Sequence, residues 1–279
     1  MSENREPPHD ADKCSFGEAC SKHPPLWFKI GEPMIWPCLQ AVLSVLSTRR
    51  TGNLNLDHIP KCAAIHLIHC MEASIEINRR GRHAVAIGLV RQCVESLTLI
   101  DIGLQSLSLR DQLLEAWREE KKSHGQIRME LEREAWPRYG GGLWTETWAE
   151  FFGEFARAVQ PYAHYTQLLQ GWQFASPPGQ QLTRSSEGNF LFIAQIGLNT
   201  YDGLKASRIT LLHCLIAWAV ARIMVANGYD GAINTKQIEL LGNEMGKSEF
   251  LSRGALKWHQ EFWPFMFDSP KSESADHPG

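Results

Sequence analysis

The spacing of apolar residues along most of this chain is that of amphipathic helices. Ala86, Val90, Val94 and Leu97 recur three or four positions apart, so they share one face of a helix. The strand-like run NFLFIAQIG at 189–197 is the one serious exception. We therefore predict an all-α, multi-helix bundle. Helices are predicted at about 35–48, 58–80, 82–107, 145–159, 205–226, 235–246 and 250–263, with one or two more inside the charged stretch 110–138.

Local signals mark where several of these helices begin and end. Asp57 stands just before Ile59 and Pro60 and is a plausible N-cap, and Thr145 can cap the helix at 145–159. Asn227-Gly228 is typical of a helix end. The glycines at 140–142 predict a hinge, because no GK[ST] follows them as in a phosphate-binding loop.

The two ends of the chain lack the apolar content that a packed core needs. Residues 1–32 carry prolines among charges and predict a flexible N-terminal arm. Residues 268–279, DSPKSESADHPG, predict a disordered C-terminal tail. The helical domain is accordingly predicted at 33–267.

Composition narrows the classes of protein and of partner. The chain has 279 residues, 43% hydrophobic and 21% charged, with a net charge of −3, which argues against a broad nucleic-acid-coating surface but allows a small basic site. Seven scattered cysteines and the absence of an apolar leader predict a reduced, cytoplasmic protein. The apolar stretch 209–226 contains His213 and Arg222, which favours a buried core helix over a membrane-spanning helix, and we predict no membrane partner.

The stretch RAVQPYAHYTQ at 157–167 carries the sharpest candidate chemistry. Pro161 predicts that one helix ends near Arg157–Gln160 and that another begins at the proline, which could direct Arg157 and His164 into a common pocket. A histidine can move a proton near neutral pH, and an arginine can bind phosphate oxygens. This pair therefore predicts metal-independent cleavage of an RNA phosphodiester, while an ordinary helix junction is the alternative.

Arg157 and His164, with six residues between them, resemble the Arg-x4–6-His motif of ribonucleases in the HEPN superfamily. That resemblance implies an all-helical fold, a homodimer that pairs two sites, and RNA cleavage without a metal. It also implies a toxin–antitoxin or antiviral role, with an antitoxin as a possible protein partner.

Arg91 and Glu95 form a second candidate, in the segment RQCVE of an otherwise apolar helix. Their spacing places them one turn apart on one face, which predicts a partly buried ion pair. The sharper alternative is that both residues support the pocket that holds His164. An uncharacterised group of bacterial helical proteins is similar here, with an Arg-x-x-x-Glu helix and a later histidine among aromatic residues.

Two polar groups have some features of metal sites, but we predict no metal and no cofactor. The spacing in HLIHCME, with Glu76 beyond it, lacks the paired Glu-x-x-His order of di-metal bundles. The Cys-x5-Cys spacing near the N-terminus is wider than a zinc knuckle. The zinc alternative would use Cys14, Cys20, His23 and Cys38.

Ten tryptophans are many for this length, and three of them flank the Arg157–His164 region: Trp144, Trp148 and Trp172. Packing in the core is the favoured interpretation, and stacking of RNA bases is the alternative.

Two functional hypotheses remain: a helical ribonuclease of toxin or defence type, and a non-catalytic helical protein that binds a partner or ligand.

Overall fold

The computed structural model describes residues 26–164, 169, 172–175, 183–184, 190–191, 195–196, 201–248 and 251. Within these residues the protein is an all-α bundle, as predicted. Its helices are α1 (Leu26–Thr48), α2 (Leu54–Arg79), α3 (His83–Leu104), α4 (Leu107–Arg118), α5 (His124–Glu134), α6 (Trp148–Val159), α7 (Gly203–Ala226) and α8 (Thr235–Gly246). Short 3-10 helices lie at Trp136–Arg138, Gln160–Tyr162 and Asp230–Ala232.

The described strands are two residues long and form two antiparallel pairs. Phe174–Ala175 pairs with Gln195–Ile196, and Thr183–Arg184 pairs with Phe190–Leu191. Two of these strands fall within the predicted strand candidate at 189–197, so that exception to the helical pattern is confirmed in part.

The centre of the bundle is α7, which packs against α1, α2, α3 and α8. Every residue from 209 to 221 is buried, because this helix is apolar on all sides. Both α1 and the segment Lys205–Ala226 have the length and mean hydropathy of a membrane span. Most of the apolar window in the second, 83%, is buried against the rest of the protein, as in the core helix predicted there.

The first helix begins at Leu26, nine residues before its predicted start at 35. Trp27 and Phe28 are buried in the core, which extends the helix into the segment 26–32 that was assigned to the flexible arm. The predicted arm at 1–25, the helix at 250–263 apart from Leu251 and the tail at 268–279 lie outside the described residues.

Two predicted helix caps are wrong. Asp57 lies inside α2, whose N-cap residue is Asn53, and its carboxylate accepts hydrogen bonds from Thr51 and pairs with Arg110 instead of capping the helix. The N-terminus of α6 is capped by Thr147 and not by Thr145, through a reciprocal capping box with Glu150.

The ends of α7 and the break in the charged stretch agree with the sequence. Gly228 has a φ of +82° just after α7, a conformation that glycine adopts without strain. The stretch 110–138 contains two helices, α4 and α5, separated near His124 as predicted. Trp148 and Trp172 are buried, which confirms the packing interpretation for these two rings.

Candidate anion-binding site

Arg91 and Glu95 form the predicted ion pair on α3. Arg91 Nη2 lies 2.6 Å from Glu95 Oε1, and Arg91 Nε donates to Gln160 Oε1 at 3.1 Å. The Arg91 side chain is 9% exposed and that of Glu95 is 32% exposed. The pair is therefore partly buried, and Gln160 ties it to the junction that follows α6.

His124 and Arg128 stand opposite this pair, on the first turns of α5. A capping box between Ser123 and Gln126 fixes the start of that helix. His124 and Arg128 are four residues apart, so they share a face, and both side chains are half-buried.

The hydrogen bond of His124 determines which of its nitrogens carries the proton. Trp117 Nε1 on α4 can only donate, and it lies 3.3 Å from His124 Nε2. Nε2 is therefore the acceptor, and the neutral ring carries its proton on Nδ1. Burial lowers the pKa of His124; the nearby Glu95 carboxylate raises it, and the charges of Arg128 and Arg91 lower it.

Three buried nitrogens in this cluster have no acceptor within the part of the chain that the structure describes. They are Arg91 Nη1, His124 Nδ1 and Arg128 Nη1. A buried donor without a partner costs about 1–3 kcal/mol, so an enclosed cluster of three is unusual. We call Arg91, Glu95, His124 and Arg128 the anion cluster.

The charges of the anion cluster do not balance. Burial lowers the pKa of Arg128, and the positive charge of the nearby Arg91 lowers it further. Glu95 is the carboxylate that faces both, and it raises the pKa of Arg128 in partial compensation. Two permanent positive charges against one negative charge favour an added anion.

A cavity of about 420 Å³ adjoins the anion cluster through Glu95 and His124. It lies between α2, α3, α4 and the start of α5, and Trp117 forms one of its walls. Among the residues that the structure describes, the lining consists of His58, Ile59, Cys62, Ala63, His66, Gln92, Glu95, Ser96, Leu99, Trp117 and His124.

The structure places the predicted catalytic residues elsewhere. Arg157 is 57% exposed on the last turn of α6, and its guanidinium pairs with the buried carboxylate of Glu154. This pair partly neutralises the positive charge that was predicted to bind phosphate. His164 is exposed beyond the 3-10 helix Gln160–Tyr162. Neither residue lines the cavity beside Glu95, whose histidines are His58, His66 and His124 and not the predicted His164. A joint catalytic role for Arg157 and His164 stays a prediction.

The sequence contained two signals for the residues that were missed. The segment SHGQ at 123–126 has the Ser-x-x-Gln pattern of a capping box, which marks His124 as the first residue of a helix. The spacing from His124 to Arg128 then places both on one face. The approach of that face to Arg91 and Glu95 depends on tertiary packing and has no local signal.

The other candidate metal sites gain no support within the described residues. No group of three or more His, Cys, Asp or Glu side chains could hold a metal there. His66 instead contacts Cys70, and Glu76 pairs with Arg80. Cys38 is buried on α1, and burial raises the pKa of its thiol to about 11, which disfavours a thiolate ligand. Its proposed zinc partners Cys14, Cys20 and His23 lie outside the described residues.

These contacts limit what the anion cluster can do chemically. Its nitrogens can donate hydrogen bonds to the oxygens of a phosphate or carboxylate, and Glu95 can accept a proton beside them. Comparison with protein-family models, with curated proteins and with solved structures finds no match to this chain.

Proposed function

We propose that this protein binds an RNA phosphodiester at the anion cluster and cleaves it without a metal ion. One observation carries the proposal: Arg91, His124 and Arg128 each keep a buried donor nitrogen without an acceptor. The non-bridging oxygens of a phosphodiester supply acceptors and the missing negative charge. The resemblance to HEPN ribonucleases rests on Arg157 and His164, which lie outside this cluster, so it suggests RNA as the substrate class and a toxin or defence role, with an antitoxin or a second copy as partner, and not this site.

The proposed step forms one bond and breaks one. The ribose 2′-oxygen attacks phosphorus while its proton passes to the Glu95 carboxylate, and the bond from phosphorus to the 5′-oxygen breaks. The departing 5′-oxygen takes a proton from the imidazolium form of His124. The products carry a 2′,3′-cyclic phosphate and a 5′-hydroxyl, and both side chains then exchange protons with water.

The two arginines stabilise the charge that develops on the phosphate oxygens in this step. A bound phosphate also raises the pKa of His124, because a nearby negative charge favours the imidazolium form. Since the three donor nitrogens are enclosed, a phosphate reaches them only after a side chain turns aside. His124 and Arg128 are half-buried, so they are the side chains that would turn.

The test compares two histidines in one assay. We expect the wild-type protein to cleave end-labelled single-stranded RNA in EDTA, leaving 2′,3′-cyclic phosphate ends. His124→Ala should lower the rate by about 100-fold or more, the usual contribution of a general acid, with melting unchanged. His164→Ala, at an exposed position, is the matched control and should cleave within about twofold of wild type.

Three outcomes of this assay are decisive. Undiminished cleavage by His124→Ala contradicts the proposed site. Loss of cleavage in His164→Ala alone moves the chemistry to the Arg157–His164 pair predicted from the sequence. Absence of cleavage by the wild-type protein on every single-stranded RNA tested removes the catalytic part of the proposal.

A second candidate function is non-catalytic binding of a phosphate-bearing ligand at the same cluster. The hydrogen bond from Trp117 favours it, because that bond occupies the Nε2 lone pair of His124 and holds the ring in its neutral form. In this case the protein binds RNA or a nucleotide and releases it unchanged. Arg128→Met then weakens binding, and no cleavage products form.

A further inference from the structure

The cavity beside the anion cluster combines a flat aromatic wall with an apolar floor. Trp117 is half-buried and provides the wall, and its ring also contacts His124 edge-on, with 6.3 Å between ring centroids. Ile59, Ala63 and Leu99 are buried residues that line the cavity from α2 and α3. Such a surface favours a flat ring over a flexible polar chain.

Polar groups also line the same cavity, one exposed and one buried. Gln92 is exposed, and its amide forms no hydrogen bond within the described residues, so it can both donate and accept. Ser96 donates its hydroxyl proton to the main-chain oxygen of Gln92 at 3.2 Å, which leaves lone pairs on its oxygen. These groups match the mixed donors and acceptors on the edge of a heterocyclic base.

We propose that this cavity binds the nucleobase that adjoins the phosphate in the anion cluster, with the base stacked on Trp117. The inference rests on the proposed phosphate site and names the ligand class, a ribonucleoside phosphate. A volume of about 420 Å³ lies toward the lower end of ligand cavities, about 300–1,000 Å³, and suits one nucleoside. Glu95 and His124 belong to both the cavity and the cluster, so one ligand reaches both.

Trp117 has two roles in this arrangement, and substitutions separate them. Its ring is the wall for the base, and its Nε1–H is the donor to His124 Nε2. Trp117→Phe keeps an aromatic wall and removes the donor. Trp117→Leu removes both the donor and the aromatic wall.

The experiment measures binding by calorimetry and requires no cleavage. The ligands are the four ribonucleoside 5′-monophosphates, ribose 5-phosphate and inorganic phosphate. We expect at least one nucleotide to bind about 5- to 150-fold more tightly than ribose 5-phosphate, the range for stacking one base. Both variants lose the donor to His124, so they should bind inorganic phosphate equally well; Trp117→Phe should keep most of the nucleotide preference, and Trp117→Leu should abolish it.

A further variant tests the cavity if Trp117→Leu does not fold. Cys62 is exposed and lines the cavity, so Cys62→Tyr should fold and occupy the space for the base. It should weaken nucleotide binding and leave inorganic phosphate binding unchanged. Equal affinities for nucleotides and ribose 5-phosphate in the wild-type protein overturn the inference, and so does a nucleotide preference that survives both Trp117→Leu and Cys62→Tyr.

The binding assay also separates this inference from the proposed cleavage. A nucleotide preference without RNA cleavage retains the base site and removes the catalytic step. RNA cleavage without any nucleotide preference retains the catalytic step and removes the base site. A dinucleoside monophosphate distinguishes the source of the ligand: tighter binding than the mononucleotide indicates RNA, and equal binding indicates a free nucleotide.

Discussion

Asp57 and Arg110 form an ion pair that is almost completely enclosed. Arg110 Nη2 lies 2.6 Å from Asp57 Oδ1, and the side chains are 3% and 2% exposed. Thr51 donates to both oxygens of the same carboxylate, from its main-chain nitrogen and its hydroxyl. Because its partners surround it, Asp57 has become part of the core between α2 and α4 instead of a helix cap.

At this residue scale, we expect Asp57→Asn to destabilise the protein severely. The change keeps the size of the side chain but leaves the buried Arg110 guanidinium with only the partly exposed Asp111 as a counter-charge. Removing one partner of a buried pair costs about 3–5 kcal/mol, and the remaining Asp111 places the expected loss toward the lower end, about 3 kcal/mol. The free energy of unfolding, measured in urea by circular dichroism, should fall by about that amount.

An exposed pair supplies the control for this prediction. Glu115 pairs with Arg118 on α4, and each side chain is 41% exposed. Glu115→Gln should change the free energy of unfolding by less than about 1 kcal/mol, since solvent screens exposed pairs. Equal losses for the two substitutions would show that burial of the Asp57–Arg110 pair has no energetic consequence.

At the scale of elements, α3 passes very close to α2 at Gly103. A Cβ atom added to Gly103 would lie 2.4 Å from Pro60 Cβ and 3.1 Å from Leu46 Cδ2. No side chain fits at that position, so a glycine near the end of α3 allows α1, α2 and α3 to pack together. Gly153, in the middle of α6, has no atom within 4 Å of the same added Cβ.

These two glycines predict opposite effects of alanine. Gly103→Ala should destabilise the protein by about 1–3 kcal/mol, because the methyl group forces α2 and α3 apart. Gly153→Ala should stabilise it by about 0.5–1 kcal/mol, because alanine favours the helix and meets no obstacle. Thermal unfolding of both variants checks the signs. A gain in melting temperature for Gly103→Ala would mean that the helices separate without cost.

The sequence predicted the helices better than their contacts. Periodicity located α3, α7 and α8 to within a few residues, because each buries a face whose spacing is visible in one dimension. The start of α1 was missed, since its burial of Trp27 and Phe28 depends on the rest of the core. For the site, the Arg91–Glu95 spacing was local and predictable. The approach of His124 to Arg91 and Glu95 was not predictable, because it brings together α3 and α5, which have no local signal for their contact.

At the scale of the whole molecule, three buried titratable groups couple the fold to pH. Burial lowers the pKa of His213 to about 3 and that of His83 to about 4, whereas burial raises the pKa of Asp101 to about 6. Hydrogen bonds hold both histidines neutral. His213 Nε2 donates to Ser74 Oγ, and His83 donates to Asn78 Oδ1 while accepting from the Asp202 main chain.

These shifts predict that stability falls on acidification between about pH 6 and pH 4. In this window the unfolded chain protonates both histidines, whose ordinary pKa is about 6.5, while the folded protein does not. The folded protein in turn protonates Asp101, which the unfolded chain leaves ionised. The unfolded state therefore binds a net one proton more, and these three groups lower the free energy of unfolding by about 1.4 kcal/mol per pH unit.

Two substitutions should move this slope in opposite directions. His213→Gln keeps a donor for Ser74 and removes one of the two histidine protons, so the contribution of these groups between pH 6 and pH 4 should fall to near zero. Asp101→Asn removes the opposing proton, and their contribution should rise to about 2.7 kcal/mol per pH unit. Urea unfolding of each variant at pH 4.5, 5.0 and 5.5 measures the slopes directly, and comparison with wild type cancels the remaining carboxylates. Equal slopes for the three proteins would show that His213 and Asp101 have the same pKa in the folded and unfolded states. Their burial would then contribute nothing to the loss of stability in acid.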